Sequence, residues 1–291
     1  MSGYDWNTPP DQTDAPDRLK VATAQFAICS DFATNLAHIL RLSTQAAQAG
    51  AQVVHFPEGA LSGYGPADWP DWTGFDWAAL KDATDSLCKL ASDLVLWIVC
   101  GTVQPPRTPE ALPSNSVLVI NPDGQISGRY DKQRCSANDR RAFAQGDQPM
   151  IFEIEGVKCA VLICLDWAFP ELWAELSEHQ VELVFHSAAS DKGGDTPHIA
   201  STVIPSVMQS YAWLHHYAIS LSNSARPGQH FASLWVQRSG HFGQSAMIDT
   251  PGLALNALKD ASDQDAFFSM VRDFRQSARS QALNGDKPDQ R

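Results

Sequence analysis

Residues 157–171 read Val-Lys-Cys-Ala-Val-Leu-Ile-Cys-Leu-Asp-Trp-Ala-Phe-Pro-Glu: an apolar run stops at a cysteine, and a helix start follows. The run from Val157 to Ile163 predicts a strand that holds Cys164 at its carboxyl end. Pro170 suits the first turn of a helix, whose partly positive N-terminus would favour the thiolate of a nearby cysteine. An isolated cysteine after an apolar strand is more often a buried structural residue, so a reactive role needs partners elsewhere in the chain.

Composition limits the classes of partner. The 291 residues carry a formal net charge of −12, which disfavours nucleic acid and anionic membranes. The 6 cysteines form no CxxC pair, a spacing that fits neither a zinc site nor a small disulfide scaffold and indicates a reducing compartment. The chain start lacks the features of a signal peptide, and the apolar run from Leu94 to Cys100 is too short to cross a bilayer. We therefore expect a soluble cytoplasmic protein with no nucleic-acid or membrane partner.

Strand and helix patterns alternate between two polar ends. Residues 1–18 and 276–291 are predicted to be tails, and 19–275 shows no linker, so it predicts a single domain. The alternation indicates an α/β fold, and the turn Asn121-Pro122-Asp123-Gly124 adds a hairpin, so the sheets are expected to be mixed. Strands are predicted at 21–26, 52–56, 94–103, 116–120, 125–130, 157–163, 181–186, 218–222, 244–248 and 267–271, and helices at 35–49, 77–91, from 170 and at 199–215.

Three polar residues follow predicted strands. Glu58 comes after Val53–Phe56 and Pro57, Lys132 after the second hairpin strand, and Cys164 after its own strand. Functional groups in α/β sheets gather beyond the carboxyl ends of strands, so the three side chains are able to meet. Each also has an ordinary interpretation, because a loop carboxylate or a surface lysine needs no function.

Together these segments resemble the carbon–nitrogen hydrolase (nitrilase-like) superfamily, amidase-type branch, over roughly residues 19–272. The motifs that carry the resemblance are Val21–Phe26, Ala51–Glu58, Leu61–Tyr64, Tyr130-Asp131-Lys132, Cys164-Leu165-Asp166 with Phe169-Pro170-Glu171, and Gly243-Gln244-Ser245 with Ile248-Asp249 and Gly252. The resemblance implies a four-layer α-β-β-α sandwich, protomers that pair as a homodimer or higher homo-oligomer, and a Glu-Lys-Cys triad without metal or organic cofactor.

The resemblance also implies a role for each residue. Glu58 would take the thiol proton of Cys164, which attacks an amide carbonyl carbon. Lys132 and the backbone N–H of Leu165 would stabilise the negative oxygen. The partners would be a small linear amide or carbamoyl compound and water, and the Cys-x-Asp segment favours an amide over a nitrile. Two alternatives stay open: transfer of the acyl group to an amine, and a non-catalytic member that serves in binding or assembly.

The sequence departs from the family pattern at two positions near these motifs. Asp139 stands where many members carry a second glutamate, and its shorter side chain is either a weaker orienting carboxylate or a loop residue. Ala168 replaces an arginine that often precedes Phe-Pro-Glu, which removes a guanidinium from the substrate side. These changes motivate the non-catalytic alternative and put the inherited substrate specificity in doubt.

Further candidates surround the presumed site. His186 ends a predicted strand and either touches substrate or makes structural hydrogen bonds. Trp69, Trp72 and Trp77 follow Glu58 and either line an apolar pocket or pack against one another. Residues 191–195 suggest a mobile loop over the site.

Overall fold

The computed structural model of the chain describes residues 16–65, 67–69, 71–190, 199–259, 270, 271, 273, 274 and 277. The strands are β1 Asp17–Gln25, β2 Val53–His55, β3 Trp97–Gln104, β4 Ser114–Ile120, β5 Ile126–Asp131, β6 Ile151–Ile154, β7 Val157–Ile163, β8 Leu183–Ser187, β9 Ala218–Ser222, β10 Leu234–Val236 and β11 Gly252–Lys259. The helices are α1 Phe32–Gln48, α2 Trp77–Leu94, α3 Asp139–Ala142, α4 Pro170–Glu178 and α5 Ala200–His215, and Cys164–Ala168 forms a 3-10 helix.

The strands form two mixed sheets, as the hairpin predicted. The first sheet has the order β11-β1-β2-β3-β4-β5, and the second has the order β10-β9-β8-β7-β6. The three strands β1, β2 and β3 run parallel, and so do β7, β8 and β9. Each parallel set is flanked by antiparallel strands, β11 and β4 in the first sheet and β10 and β6 in the second. At the edge of the first sheet, β5 pairs antiparallel with β4. The parallel strands therefore bring their carboxyl ends, with the loops that follow them, to one edge of each sheet.

Alternating side chains on the first sheet define its two faces. Val21, Val53 and Val99 pack into the core shared with the second sheet. Their neighbours Ala22 and Val54 pack into the core formed with α1 and α2. Because successive side chains of a strand point to opposite faces, one sheet separates two cores. With α4 and α5 covering the second sheet, the layers are α-β-β-α, and the predicted fold is confirmed.

Helix starts follow from local side chains. Asp31 caps α1 by accepting a hydrogen bond from Ala33 N, and Asp76 caps α2 in the same way through Ala79 N. These caps satisfy backbone donors that have no partner within the helix. Pro170 opens α4, as its position in the sequence predicted, since its fixed φ fits a first turn.

A buried chain of hydrogen bonds joins the two sheets. His55 on β2 bonds through Nδ1 to Ser220 Oγ at 2.9 Å and through Nε2 to Ser187 Oγ at 3.0 Å. Ser220 also bonds to Thr23, and Ser187 donates to the Phe56 carbonyl. Every member is buried, so these bonds fix the relative position of the sheets below the loop that carries Glu58.

Most predicted elements are present, and the differences are local. The predicted strand at 94–103 begins at Trp97, because α2 continues to Leu94. Residues 244–248 were predicted as a strand; this is wrong, since they have no regular structure and Met247 is largely exposed. Of the strand predicted at 267–271, residues 267–269 lie outside the described residues, and Met270 and Val271 are helical. The strands β6, β10 and β11 were not predicted.

Within the described ranges, the helices are all too short or too polar to cross a membrane. Residues 1–15 and most of 276–291 lie outside the described part of the chain, as does the loop at 191–198. The predicted tail boundaries and the loop over the site therefore stay predictions.

Replacing His55 with leucine tests the bonds between the sheets. The change removes two buried hydrogen bonds and is expected to lower the free energy of unfolding by about 1 to 3 kcal/mol. Burial holds the pKa of His55 well below its usual value, so between that lowered pKa and about 6.5 only the unfolded chain binds this proton. Stability should therefore fall as the pH drops below about 6.5, and less steeply in His55→Leu.

Urea unfolding at neutral and mildly acidic pH measures both effects. His179→Leu, at an exposed position, serves as the control. Equal pH slopes in His55→Leu and the wild type would contradict the assignment of a buried neutral imidazole.

Candidate active site

A buried lysine stands between two carboxylates at the edge of the first sheet. Lys132 Nζ lies 2.8 Å from Glu58 Oε1 and 2.9 Å from Asp139 Oδ2, and all three side chains are almost fully inaccessible. Burial alone would lower the pKa of Lys132, but Glu58, Cys164, Tyr64 and Asp139 together raise it well above its usual value. Lys132 is therefore a permanent cation, held by its two partners.

Glu58 is fixed by three donors. Its Oε1 accepts from Lys132 and from Asn115 Nδ2 at 2.7 Å, and its Oε2 accepts from Ala189 N at 3.1 Å. Asn115 lies at the start of β4, beside the end of β5, and its carbonyl accepts from Lys132 N. The carboxylate is thus oriented by the first sheet through Asn115 and by the second sheet through Ala189.

Asp139 reaches the lysine in spite of its shorter side chain. It begins α3, where Oδ2 also accepts from Ser136 N at 3.1 Å and Oδ1 accepts from the Tyr64 hydroxyl at 3.2 Å. Burial acts to raise the pKa of Asp139, but the charge and hydrogen bond of Lys132 and the bonds from Ser136 lower it overall. Of the two interpretations of this residue, the geometry favours the orienting carboxylate.

Cys164 is the first residue of the 3-10 helix and forms a sharp turn directly after β7. Its φ is 42°, in the left-handed region that residues other than glycine rarely adopt, and its side chain is half-buried. Burial raises the pKa of its thiol, Glu58 raises it further, and Lys132 and the Ala189 N–H lower it. α4 begins at Pro170, as predicted, but the expected thiolate is not found, since burial and Glu58 outweigh the groups that lower the pKa of the thiol and the resting group is protonated.

Two donors beside the sulfur are open to a substrate oxygen. Leu165 is the second residue of the 3-10 helix, so its N–H has no acceptor within that helix. An ammonium carries three N–H groups, and among the residues that the structure describes Lys132 donates two of them, to Glu58 and Asp139. The remaining donors suit an oxygen that becomes negative.

Asp166 connects the nucleophile segment to the lysine segment. Its Oδ2 accepts from Ile163 N at 2.9 Å and from the Tyr130 hydroxyl at 2.8 Å, and its Oδ1 accepts from Arg134 N at 2.9 Å. Burial raises the pKa of Asp166 to about 6 although these donors act to lower it. One side chain thus holds the turn of Cys164 against the residues that flank Lys132.

The remaining candidates have structural surroundings. His186 is buried, and its Nε2 lies 3.0 Å from the Cys164 carbonyl oxygen. Trp69, Trp72 and Trp77 pack with Phe75, and Trp72 Nε1 donates to the Ala142 carbonyl, which favours packing over a pocket wall. In the described ranges, no group of three or more His, Cys, Asp or Glu side chains is arranged to hold a metal ion.

Sequence reasoning missed Asn115, Tyr64 as a partner of Asp139, and the Ala189 N–H. Asn115 had little signal, because it lies in a Ser-Asn-Ser stretch just before the strand predicted at 116–120, and only the strand register, with Ser116 opposite Asp131, sets it near Lys132. The Ala189 N–H had none, since a backbone donor is not identified by its residue type.

The carbon-nitrogen hydrolase family model matches residues 20–263, so the chain belongs to that family, and the resemblance inferred from its motifs is confirmed. It is 25% identical over 189 residues to a hydrolase of Mycobacterium tuberculosis, covering 60% of this chain and 62% of that protein. It is 24% identical over 181 residues to omega-amidase NIT2 of Xenopus tropicalis, covering 59% of this chain and 64% of that protein. The chain thus spans less than two thirds of these relatives' length.

Solved structures share the fold. One is the amidase from Nesterenkonia sp. AN1 as a glutamate-to-glutamine variant, described as showing covalent addition of the acetamide moiety of fluoroacetamide at the active site cysteine. It has a TM-score of 0.73 and 22% identity, covering 84% of this chain and 92% of that chain. The glutamine-dependent NAD+ synthetase from Acinetobacter baumannii has a TM-score of 0.71 and 22% identity, covering 84% of this chain and 48% of that chain.

Gly101→Ala tests the close backbone contact between β3 and the loop that carries Glu58. A Cβ at this position would lie 2.1 Å from the Pro57 carbonyl oxygen and 2.7 Å from Glu58 Cα. Backbone atoms at these distances have to move, so we expect the loop that carries Glu58 to shift and the free energy of unfolding to fall by about 1 to 3 kcal/mol.

Urea unfolding measures the loss, and a crystal structure of the variant locates the loop. Gly252→Ala is the matched control, because a Cβ there meets nothing within 4 Å. A variant with unchanged stability and an unmoved Glu58 would contradict the contact.

Proposed function

We propose that this protein hydrolyses the C–N bond of a small linear amide or carbamoyl compound through a thioester on Cys164. The observation that supports the proposal is the buried Glu58–Lys132 pair, 2.8 Å between Oε1 and Nζ, beside a half-buried thiol in a left-handed turn. A base, a cation and a sulfur at one strand edge are the groups that acyl transfer to a thiol requires. Membership of the carbon-nitrogen hydrolase family agrees with this chemistry.

The first half of the proposed reaction forms the thioester. The Cys164 sulfur attacks the carbonyl carbon while Glu58 takes the thiol proton, which is necessary because the raised pKa keeps the resting group protonated. The carbonyl oxygen becomes negative and accepts hydrogen bonds from Lys132 Nζ and Leu165 N. When the tetrahedral intermediate collapses, the C–N bond breaks, and Glu58 gives its proton to the departing nitrogen.

The second half regenerates the enzyme. Glu58 takes a proton from a water molecule, whose oxygen attacks the thioester carbon and forms a second oxyanion at the same donors. The C–S bond then breaks, Glu58 returns the proton to the sulfur, and the carboxylic acid leaves. Asp139 and Asn115 hold Lys132 and Glu58 in place throughout, and they neither gain nor lose protons in these steps.

An amide panel with ammonia detection and intact-mass measurement tests the proposal. We expect turnover of at least one small amide, an acyl adduct on the wild-type chain, and loss of both in Cys164→Ala, with activity lower on the order of 10⁴-fold or more. Cys88→Ala is the matched control, since this half-buried free cysteine lies on α2. Adding an amine acceptor distinguishes acyl transfer from hydrolysis.

Two results would contradict the proposal. An adduct that persists in Cys164→Ala would reject the nucleophile, and a chain with neither turnover nor adduct across a broad panel would favour the non-catalytic alternative. The predicted homodimer or higher homo-oligomer is a separate proposal, which sedimentation analysis decides.

Replacing Glu58 with glutamine separates the base from the nucleophile. The variant keeps an acceptor for Asn115 and Lys132 but is not able to take a proton, so amide turnover should fall roughly 10²- to 10⁴-fold. Fluoroacetamide should still label Cys164, because fluoride leaves without a proton and loss of the Glu58 charge removes a group that raises the pKa of the thiol, whose proton can then pass to water. Intact mass detects the label, and unchanged turnover would reject Glu58 as the base.

A further inference from the structure

The turn at Cys164 has to be held by its surroundings. A φ of 42° in a residue with a side chain is strained and persists only where neighbouring groups enforce it. The Asp166 side chain holds one side of the turn through Ile163 N at 2.9 Å, and Trp173 Nε1 donates to the Asp166 carbonyl at 3.0 Å. These bonds fix the backbone on both sides of Cys164, but they do not hold its own carbonyl group.

His186 supplies the contact to that carbonyl. Its Nε2 lies 3.0 Å from the Cys164 carbonyl oxygen, and because a carbonyl only accepts, Nε2 carries the proton and donates it. Burial lowers the pKa of His186 to about 4, so the ring is neutral with one N–H. In the described part of the chain, its Nδ1 has no hydrogen-bond partner, so the bond from Nε2 to the Cys164 carbonyl is the one hydrogen bond of this side chain there.

Strand register explains why this side chain reaches the nucleophile turn. β8 runs parallel to β7 with Leu162 opposite His186 and Ile163 opposite Ser187, so His186 lies next to the point where β7 ends. The ring packs edge-on against Trp173, with centroids 5.6 Å apart and planes at 69°. It is only 1% exposed, so direct contact with a substrate is not favoured. Trp173 thus packs against the imidazole ring of His186, while Nε2 of the ring donates to the Cys164 carbonyl oxygen.

We propose that His186 is a positioning residue: its Nε2–H holds the Cys164 carbonyl and thereby keeps the sulfur aimed between Glu58, Lys132 and the substrate. The inference rests on the proposed role of Cys164 as the nucleophile. His186 acts through Cys164 and takes no part in proton transfer. The segment that directly follows β8 supplies a second contact to the site, from Ala189 N to Glu58 Oε2. β8 and the residues after it therefore orient both the nucleophile and its base.

Alkylation by iodoacetamide measures the position of the sulfur without a known substrate. We compare wild type, His186→Gln and His186→Asn at one neutral pH, and peptide mass mapping follows Cys164 separately from Cys29 and Cys88. The amide nitrogen of glutamine reaches about as far as Nε2, whereas that of asparagine stops near Nδ1. We expect His186→Gln to stay near the wild-type rate and His186→Asn to be slower by roughly 100-fold.

Two further measurements separate positioning from general stability. Leu87→Ala removes buried side-chain volume on α2, which packs against the first sheet, whereas β8 belongs to the second sheet. This variant should unfold more easily without slowing the alkylation of Cys164. With an amide identified by the panel, His186→Asn should lower kcat and leave KM nearly unchanged, because binding of the ground state does not depend on the turn.

Equal rates in folded His186→Gln and His186→Asn would overturn the inference, and so would a slow His186→Gln that is folded. Slowing of Leu87→Ala to the level of His186→Asn would also overturn it, since the effect would then follow stability. If the wild type shows neither turnover nor an acyl adduct in the amide panel, the proposed function fails together with this inference. A reactive wild-type Cys164 with no effect of His186 rejects the inference alone.

Discussion

The site is organised around a single buried ammonium group. Removing a charge from water costs several kcal/mol, so Lys132 is stable at 1% exposure only because Glu58 and Asp139 both lie within 3 Å of its nitrogen. This requirement holds together two segments that are distant along the chain, the loop of Glu58 and the stretch from Lys132 to Asp139. The Glu58 carboxylate is thus held in place by Lys132, Asn115 and Ala189 N, and the proposed acyl chemistry would use this preorganised carboxylate as its base.

Close backbone contacts make this convergence sterically feasible. Gly101 lets β3 pass against the loop of Glu58, and Gly146 lets the segment after Asp139 approach the Asp131 carbonyl oxygen, where a Cβ would be 2.2 Å away. Gly146 N also donates to the Lys132 carbonyl. A side chain at either position would push these backbones apart, because the segments that carry the charged groups are nearly in contact there.

The second sheet contributes rigid geometry. Asp166 and His186 contact the turn of Cys164, and the bonds around His55 join the two sheets. The first sheet holds Glu58, Lys132 and Asp139, and the second sheet holds Cys164. Motion of one sheet relative to the other would change the position of Glu58 relative to the thiol, and the buried hydrogen bonds between the sheets oppose such motion.

The sequence by itself determined the α/β class, most strands and helices, and the candidates Glu58, Lys132 and Cys164, because these depend on local periodicity and on residue types with distinctive chemistry. It did not reveal β11, whose Leu-Ala-Leu-Asn-Ala-Leu run has the composition of a helix and becomes a strand only by pairing with β1. Nor did it decide whether Asp139 reaches the lysine, or that a backbone N–H and Asn115 would orient Glu58. Those outcomes depend on distances of a few ångströms between segments far apart in the chain, and such distances are fixed only when the two sheets pack.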